Sequence, residues 1–221
     1  QNLLLITNVT QNKIIYNFIH ALNSKGLPDT LKLEPLHTYR IKVHTIPPVE
    51  KDSVIITPGI HNIIGIPAAQ GFLDIKMSGL VKNNFEVIVR KAGEMKTLHV
   101  QETNSTVKYL TGKYDLEVLS YPRVYFNNVE VLQSHTTTIE FPPPGIATII
   151  RSTSGRTDIY KEENNTLNWV YQLAENSRSE NLYLQPGNYR VIHKPKSAIS
   201  SSFTTEQKLI IKSGSSTSIR F

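Results

Sequence analysis

Three aromatic residues towards the end of the sequence have the types and spacing expected of a sugar-binding surface. Trp169 and Tyr171 alternate within the run TLNWVYQL, and Tyr160 lies on the preceding predicted strand. Alternating residues of a β-strand point to the same face, and planar aromatic rings on a sheet can stack on sugar rings. The alternative is that one of the three fills a hydrophobic core and the others flank it. The sequence leaves both interpretations open.

No other set of side chains indicates catalysis or metal binding. None of the seven histidines forms an H-x-x-x-H pair or stands at ligand spacing from a carboxylate. There is no G-x-S-x-G sequence and no glycine-rich phosphate loop. The absence of cysteine excludes disulfides and thiolate metal sites. We therefore expect no cofactor, no bound metal and no enzymatic activity.

The basic character of the chain does not indicate a nucleic-acid-binding surface. The formal net charge is +6 and the pI is about 9.4, which implies a mild attraction to polyanions. Nucleic-acid binders concentrate such charge in a stripe with interleaved aromatic residues. Here lysine and arginine are spread from Lys13 to Arg220, with a modest excess around Arg190, Lys194 and Lys196. We expect a solvated basic surface and no nucleic-acid partner.

Neither a membrane span nor a signal peptide is indicated. No apolar run approaches the roughly 20 residues that a transmembrane helix needs. The opening QNLLLITN has neither a basic region nor a small-residue cleavage site. We interpret it as an internal part of a larger protein.

The sequence repeats at an interval of 75 residues. The segments TYRIKVHTIPPVEKDSVIITPG and KYDLEVLSYPRVYFNNVEVLQS align without a gap, and a third copy follows in QPGNYRV. The residues paired in the first two copies are Tyr39 with Tyr114, Pro47 with Pro122, Val49 with Val124, Val54 with Val129 and Ile56 with Val131. Self-similarity of this kind indicates tandem copies of one structural unit.

Three modules follow from the phase of the repeat. The segments QNLLLITN, QGFLDIKM and PGIATIIR align so that Ile6, Ile75 and Ile149 coincide. The modules are then residues 1–69, 70–143 and 144–221, which we call modules 1, 2 and 3. Their junctions are short and rich in proline, alanine and glycine, which predicts an elongated array with little bending.

Each module has the pattern of an all-β Greek-key sandwich. Apolar residues alternate along short segments, and turn signals separate these segments at intervals of about 8–14 residues. We expect six or seven strands in each module. Residues 14–26 also show helical spacing, but the repeat favours a strand there. The repeated Tyr39, Tyr114 and Tyr189 are expected to be architectural, with hydroxyls bonded to nearby backbone as in a tyrosine corner.

The phrases LYLQPGNYRVI and YLTGKYDLEV, and more weakly LKLEPLHTYRI, resemble those of prealbumin-like seven-stranded modules. Carboxypeptidase regulatory-like and PEGA domains are modules of this kind. The arrangement is also similar to the C-terminal region of Bacteroidetes-type proteins in which such modules follow a von Willebrand factor A domain. The D-x-S-x-S metal motif of that domain is absent here, so the resemblance implies no metal-dependent adhesion by this chain.

The resemblance implies a non-catalytic structural or interaction segment of a bacterial protein that lies outside the cytoplasm. Such a segment would present or space an upstream domain, such as a von Willebrand factor A domain, on the cell surface or in a secreted protein. We expect a monomer with a protein or cell-surface partner. The alternative is a set of carbohydrate-binding accessory modules, with Trp169, Tyr171 and Tyr160 as the glycan-contacting residues.

Overall fold

A computed structural model describes residues 2–22, 24–28, 30–79, 84–200 and 203–221. Over these ranges the chain forms 18 β-strands and no α-helix. The all-β fold class predicted from the alternating apolar residues is confirmed. No helix within the described ranges is long and apolar enough to span a bilayer.

Module 1 contributes one antiparallel sheet. Its strands are β1 (Asn2–Asn8), β2 (Lys13–His20), β3 (Thr38–Val43) and β4 (Val49–Ile55). They lie in the order β2-β1-β3-β4. The strand Lys13–His20 confirms that the first part of the segment with helical spacing is extended.

Module 2 contributes seven strands in two sheets. They are β5 (Gln70–Met77), β6 (Glu86–Lys91), β7 (His99–Glu102), β8 (Ser105–Leu110), β9 (Gly112–Val118), β10 (Val124–Val131) and β11 (Thr136–Phe141). One sheet has the order β11-β5-β8 and the other the order β10-β9-β6-β7.

Module 3 repeats this arrangement. Its strands are β12 (Gly145–Ile150), β13 (Gly155–Glu163), β14 (Thr166–Gln172), β15 (Ser179–Leu184), β16 (Gly187–Pro195), β17 (Thr205–Ile211) and β18 (Ser216–Arg220). The sheets have the orders β15-β12-β18 and β14-β13-β16-β17. In both modules the chain crosses repeatedly between the two sheets, as in a Greek-key sandwich.

The structure corrects the alignment of the first strand. β1 lies between β2 and β3, just as β6 lies between β7 and β9 and β13 lies between β14 and β16. β1 therefore corresponds to the second strand of a module, and its alignment with the first strands β5 and β12 is wrong. The equivalents of β2 are likewise β7 and β14 and not the segments with which the repeat aligned it. Short apolar strands look alike in sequence, and only their hydrogen-bonded neighbours distinguish them. Module 1 accordingly has four strands in its described residues instead of six or seven.

Packing divides the chain into two compact units. The first comprises Gln1–Leu73, Thr106–Tyr114 and Glu130–Thr137, and the second comprises Asp74–Ser105, Asp115–Val129 and Thr138–Phe221. In the first unit a small core forms on the sheet of module 1, from Ile6, Tyr39, Ile41 and Val54.

In the second unit a larger core lies between the two sheets of module 3. Its buried residues are Ala147, Ile149, Ile159, Val170, Leu173, Leu182, Leu184, Tyr189, Val191, Leu209 and Ile211. The module boundaries at 69/70 and 143/144 remain a prediction from the repeat.

Candidate functional site

Two of the three predicted aromatic residues lie side by side on a sheet surface. Tyr160 on β13 and Trp169 on β14 are direct cross-strand partners. Ile159, next to Tyr160, is buried in the core of module 3, so Tyr160 and its partner face away from that core. The side chain of Trp169 is 58% exposed. Neither of these two rings fills the core, whereas the third aromatic residue, Tyr171, is partly buried and packs against it.

A carboxylate fixes the edge of the exposed indole. Trp169 donates its Nε1–H to Oδ1 of Asp158 at 3.2 Å. Arg156 donates its Nε–H to Oδ2 of the same carboxylate at 2.6 Å. Asp158 is 7% exposed, and these two donors compensate the burial of its charge. The interaction restrains the orientation of the Trp169 ring on the sheet surface.

Tyr171 is separated from this pair by a β-bulge. The register of β13 and β14 shifts so that Tyr171 pairs with Ile159 while Trp169 pairs with Tyr160, and Val170 between them is buried. The ring of Tyr171 packs on Tyr121, with 5.2 Å between ring centroids. A bulge reverses the alternation of faces, so the expectation that Trp169 and Tyr171 share a face does not hold.

The hydroxyl of Tyr171 is also engaged. It donates to Oε1 of Glu180 at 3.1 Å. Burial and this hydrogen bond raise the pKa of Tyr171. The surface formed by Trp169, Tyr160 and Asp158, which we call the aromatic surface, therefore excludes Tyr171.

Arg190, one of the three residues of the local basic excess, is paired with carboxylates. Arg190 is the cross-strand neighbour of Tyr160 and donates to both carboxylate oxygens of Glu162, at 2.9 and 3.0 Å. It also pairs with Glu206. Hydrogen bonding to Arg190 lowers the pKa of Glu162. The aromatic surface is thus flanked by paired charges.

The repeated tyrosines confirm the predicted tie to the backbone. The hydroxyls of Tyr39, Tyr114 and Tyr189 donate to the carbonyls of Glu34, Leu110 and Gln185 at 2.9, 2.7 and 2.5 Å. All three side chains are buried, and burial raises the pKa of Tyr114 to about 12. A buried, hydrogen-bonded hydroxyl in each copy is what a structural role requires.

The same backbone positions also make a second repeated contact, which sequence reasoning missed. In the first unit the N–H of Leu110 donates to the carbonyl of Ile46 at 2.8 Å, and in the second the N–H of Gln185 donates to that of Tyr121 at 2.7 Å. Both acceptor residues immediately precede a proline of the repeat. The proline that recurs in the repeat was the sequence signal for this contact. The contact joins residues far apart in the chain, so the sequence alone could not predict it.

Nothing in the described part of the chain forms a metal site. No group of three or more His, Asp or Glu side chains there is placed to hold a metal ion. The buried His193 bonds instead to threonines, with Nδ1 2.9 Å from Oγ1 of Thr157 and Nε2 3.2 Å from Oγ1 of Thr153. This histidine therefore serves packing within module 3.

Comparison with known proteins gives likenesses of fold. No protein-family model matches the sequence, and no curated protein matches it. The structure of the Bacillus anthracis TIE protein aligns with 100% of this chain at 14% identity and a TM-score of 0.32. This chain spans 46% of the length of that protein.

A second solved structure is GBS52, the minor pilin of Streptococcus agalactiae. It aligns with 69% of this chain and 94% of its own at 10% identity and a TM-score of 0.35. At these TM-scores neither likeness carries an argument about this chain.

Proposed function

We propose that this chain is a non-catalytic structural and interaction segment of a bacterial protein outside the cytoplasm. It spaces or presents a neighbouring domain, for which an upstream von Willebrand factor A domain is the candidate, and it contacts a protein or cell-surface partner. The observation that carries the proposal is the repeated contact of Leu110 with Ile46 and of Gln185 with Tyr121.

This repeated contact joins one predicted module to the next through main-chain atoms. A backbone hydrogen bond needs no particular side chain, and it is oriented by the strands on either side. At the second position, Tyr121 also forms a parallel β-bridge with Leu184 and packs its ring on Tyr171. Two junctions built alike support a regular array whose function is mechanical.

Small-angle X-ray scattering of the whole chain tests this proposal. A compact globule of 221 residues would have a radius of gyration of roughly 17 Å. We expect a clearly larger radius and a monomer of 25.0 kDa by light scattering. A radius near the globular value would contradict the spacer role.

Carbohydrate binding is the second candidate function. The exposed Trp169 ring, fixed by Asp158 and adjacent to Tyr160, favours it, because sugar rings stack on such surfaces. A glycan array with the whole chain tests it. Trp169→Ala should weaken any binding about tenfold, or roughly 1.4 kcal/mol.

The matched control for that experiment is Tyr125→Ala, since Tyr125 is also an exposed aromatic residue on a strand. Equal loss in both variants, or no glycan binding by the unaltered chain, would exclude the aromatic surface as a sugar site.

A further inference from the structure

The sheet of module 1 has an open apolar groove on one face. The groove has a volume of about 960 Å³ and lies within the first compact unit. Ile6 and Phe18 of the sheet form one side, and Leu33, Ile64 and Ile66 form the other. Residues 30–34 and 61–69, on either side of the groove, belong to no strand.

In modules 2 and 3 the corresponding place is filled by the first strand. β12 pairs antiparallel with β15 and parallel with β18, and its side chains Ala147 and Ile149 are fully buried. β5 holds the same position, between β8 and β11, and its Leu73 and Ile75 are fully buried. Module 1 has no such strand among its described residues.

The segments that should flank this missing strand are present in module 1. Leu33 precedes Glu34, whose carbonyl accepts the Tyr39 hydroxyl, and Leu184 of β15 precedes Gln185, whose carbonyl accepts the Tyr189 hydroxyl. Residues 30–33 therefore correspond to the end of β15. Through the repeat, residues 61–65 correspond to β11 and β18. Both segments face the groove.

A side-chain amide stands in for the missing strand at one end of the groove. In the complete modules the carbonyls of His135 and Ser215 accept the N–H of Phe72 and of Ile146, each at 2.8 Å. Each follows a turn residue of positive φ, namely Ser134 and Gly214.

The equivalent turn of module 1 has its positive φ at Gly59. The carbonyl that follows, that of Ile60, accepts Nδ2 of Asn62 at 3.1 Å. The same Nδ2 donates to the carbonyl of Thr57 at 2.9 Å. Asn62 thus satisfies an acceptor that a strand satisfies elsewhere in the chain.

We propose that the groove of module 1 is the acceptor site for an extended β-strand of the β5 and β12 type. That strand has a glycine followed by apolar residues in alternation. It runs parallel to 61–65 and antiparallel to 30–33, and it belongs to the same polypeptide, ahead of β1, just as β12 stands ahead of β13.

The chemistry of the groove selects such a strand over other apolar ligands. An extended segment can supply main-chain donors and acceptors to both flanking segments while its alternate side chains enter the core. The glycine is required because a Cβ at Gly145 would lie 2.6 Å from the carbonyl oxygen of Lys212 and 2.8 Å from that of Ser215. Residues 145–150 of this chain, GIATII, are therefore a suitable test strand.

The test extends the 221-residue chain at its N-terminus with GIATII and a linker as long as residues 151–154. The control is a matched extension in which aspartate replaces the third and fifth residues, the equivalents of the buried Ala147 and Ile149. Hydrogen exchange should slow at least tenfold at amides of 30–33 and 62–66 with GIATII and not with the control. Unchanged exchange with both extensions would overturn the proposal.

Asn62→Ala provides an independent readout. Without an extension the variant should lower the melting temperature of module 1, because the carbonyls of Thr57 and Ile60 lose their donor. With GIATII attached the same variant should have a clearly smaller effect, because the strand then donates a main-chain N–H to the Ile60 carbonyl, as Phe72 and Ile146 donate to His135 and Ser215. An equal effect in both backgrounds would show that the strand does not occupy the groove.

The source of the strand is tested on the unextended chain. Light scattering should show a monomer, and free GIATII peptide should slow exchange at the same amides only at high concentration. A dimer that dissociates on Ile64→Asp would show that a second copy fills the groove, and the assignment to the same polypeptide would then be wrong.

Discussion

Gln185 accepts the hydroxyl of Tyr189 at 2.5 Å through its carbonyl, and its N–H donates to the carbonyl of Tyr121 at 2.7 Å. One peptide position therefore receives the buried tyrosine of module 3 and also holds the predicted junction with module 2. Leu110 combines the same two contacts, with Tyr114 and Ile46. The internal packing of a module is thereby linked to the position of its neighbour.

Tyr189→Phe should destabilise module 3. The change removes the hydrogen bond to the Gln185 carbonyl inside the core, which should lower the free energy of unfolding by about 1 kcal/mol. Trp169 is the only tryptophan and lies in module 3, so its fluorescence in a denaturant titration reports this loss. Tyr183→Phe, at an exposed position, is the control. An equal loss of unfolding free energy in both variants would show that the hydrogen bond from Tyr189 to Gln185 does not stabilise module 3.

Arg151→Met should destabilise module 3 more strongly. Arg151 is 2% exposed and donates to the carbonyls of Gly155 and Ala174 at 3.1 and 2.6 Å, to the carbonyl of Ser177 and to the Thr157 hydroxyl. Methionine cannot donate to these acceptors, so the free energy of unfolding should fall by about 3 kcal/mol or more.

Tryptophan fluorescence measures this variant as well. Arg178→Met, at an exposed arginine, should change the unfolding free energy by less than about 0.5 kcal/mol. A small effect of Arg151→Met would mean that water or neighbouring groups replace the lost donor.

Gly145→Ala should disturb the first strand of module 3. The new Cβ would meet the carbonyl oxygens of Lys212 and Ser215 at 2.6 and 2.8 Å, and these backbone atoms cannot move without altering the turn. We expect a loss of about 1–3 kcal/mol, as for other overpacked sites. Calorimetry should detect it, whereas Gly65→Ala, in open space, should leave the unfolding profile unchanged.

His193 should make the stability of module 3 depend on pH. Burial, followed by the nearby Arg151 charge, lowers the pKa of His193 from its ordinary 6.5. Below about pH 6.5 the unfolded chain binds a proton that the folded state resists, so stability should fall as the pH drops towards the lowered pKa.

Denaturant titrations at pH 7.5 and pH 5 measure this effect. The unaltered chain should lose more stability between these two values than His193→Gln does, because glutamine cannot be protonated. Identical losses would show that other groups, such as the carboxylates, account for the acid sensitivity.

Several features could be predicted from sequence because they depend on local pattern. The alternation of apolar residues predicted the strands, and the 75-residue interval predicted the equivalence of Tyr39, Tyr114 and Tyr189 and their backbone bonds. The preference for a strand over a helix is also correct for Lys13–His20. Each of these inferences uses neighbours in sequence or a copy of the same segment.

The sequence alone could not predict the features that depend on which strands pair. The first strand was aligned with β5 and β12 because its apolar residues alternate as theirs do, yet its partners place it with β6 and β13. The bulge at Val170 turned Tyr171 towards Tyr121 and away from Trp169. A shift of one residue in register exchanges the two faces of a strand, and the amino-acid composition does not reveal such a shift.

The all-β fold, its repetition and the buried, hydrogen-bonded tyrosines follow from the sequence. The strand pairing and the choice of aromatic rings that share a surface come from the folded arrangement, as does the open apolar face of module 1, where the described residues hold no equivalent of β5 or β12. Alternation of apolar residues specifies an extended, half-buried segment. The identity of its neighbours depends on hydrogen bonds and packing between residues far apart in the chain.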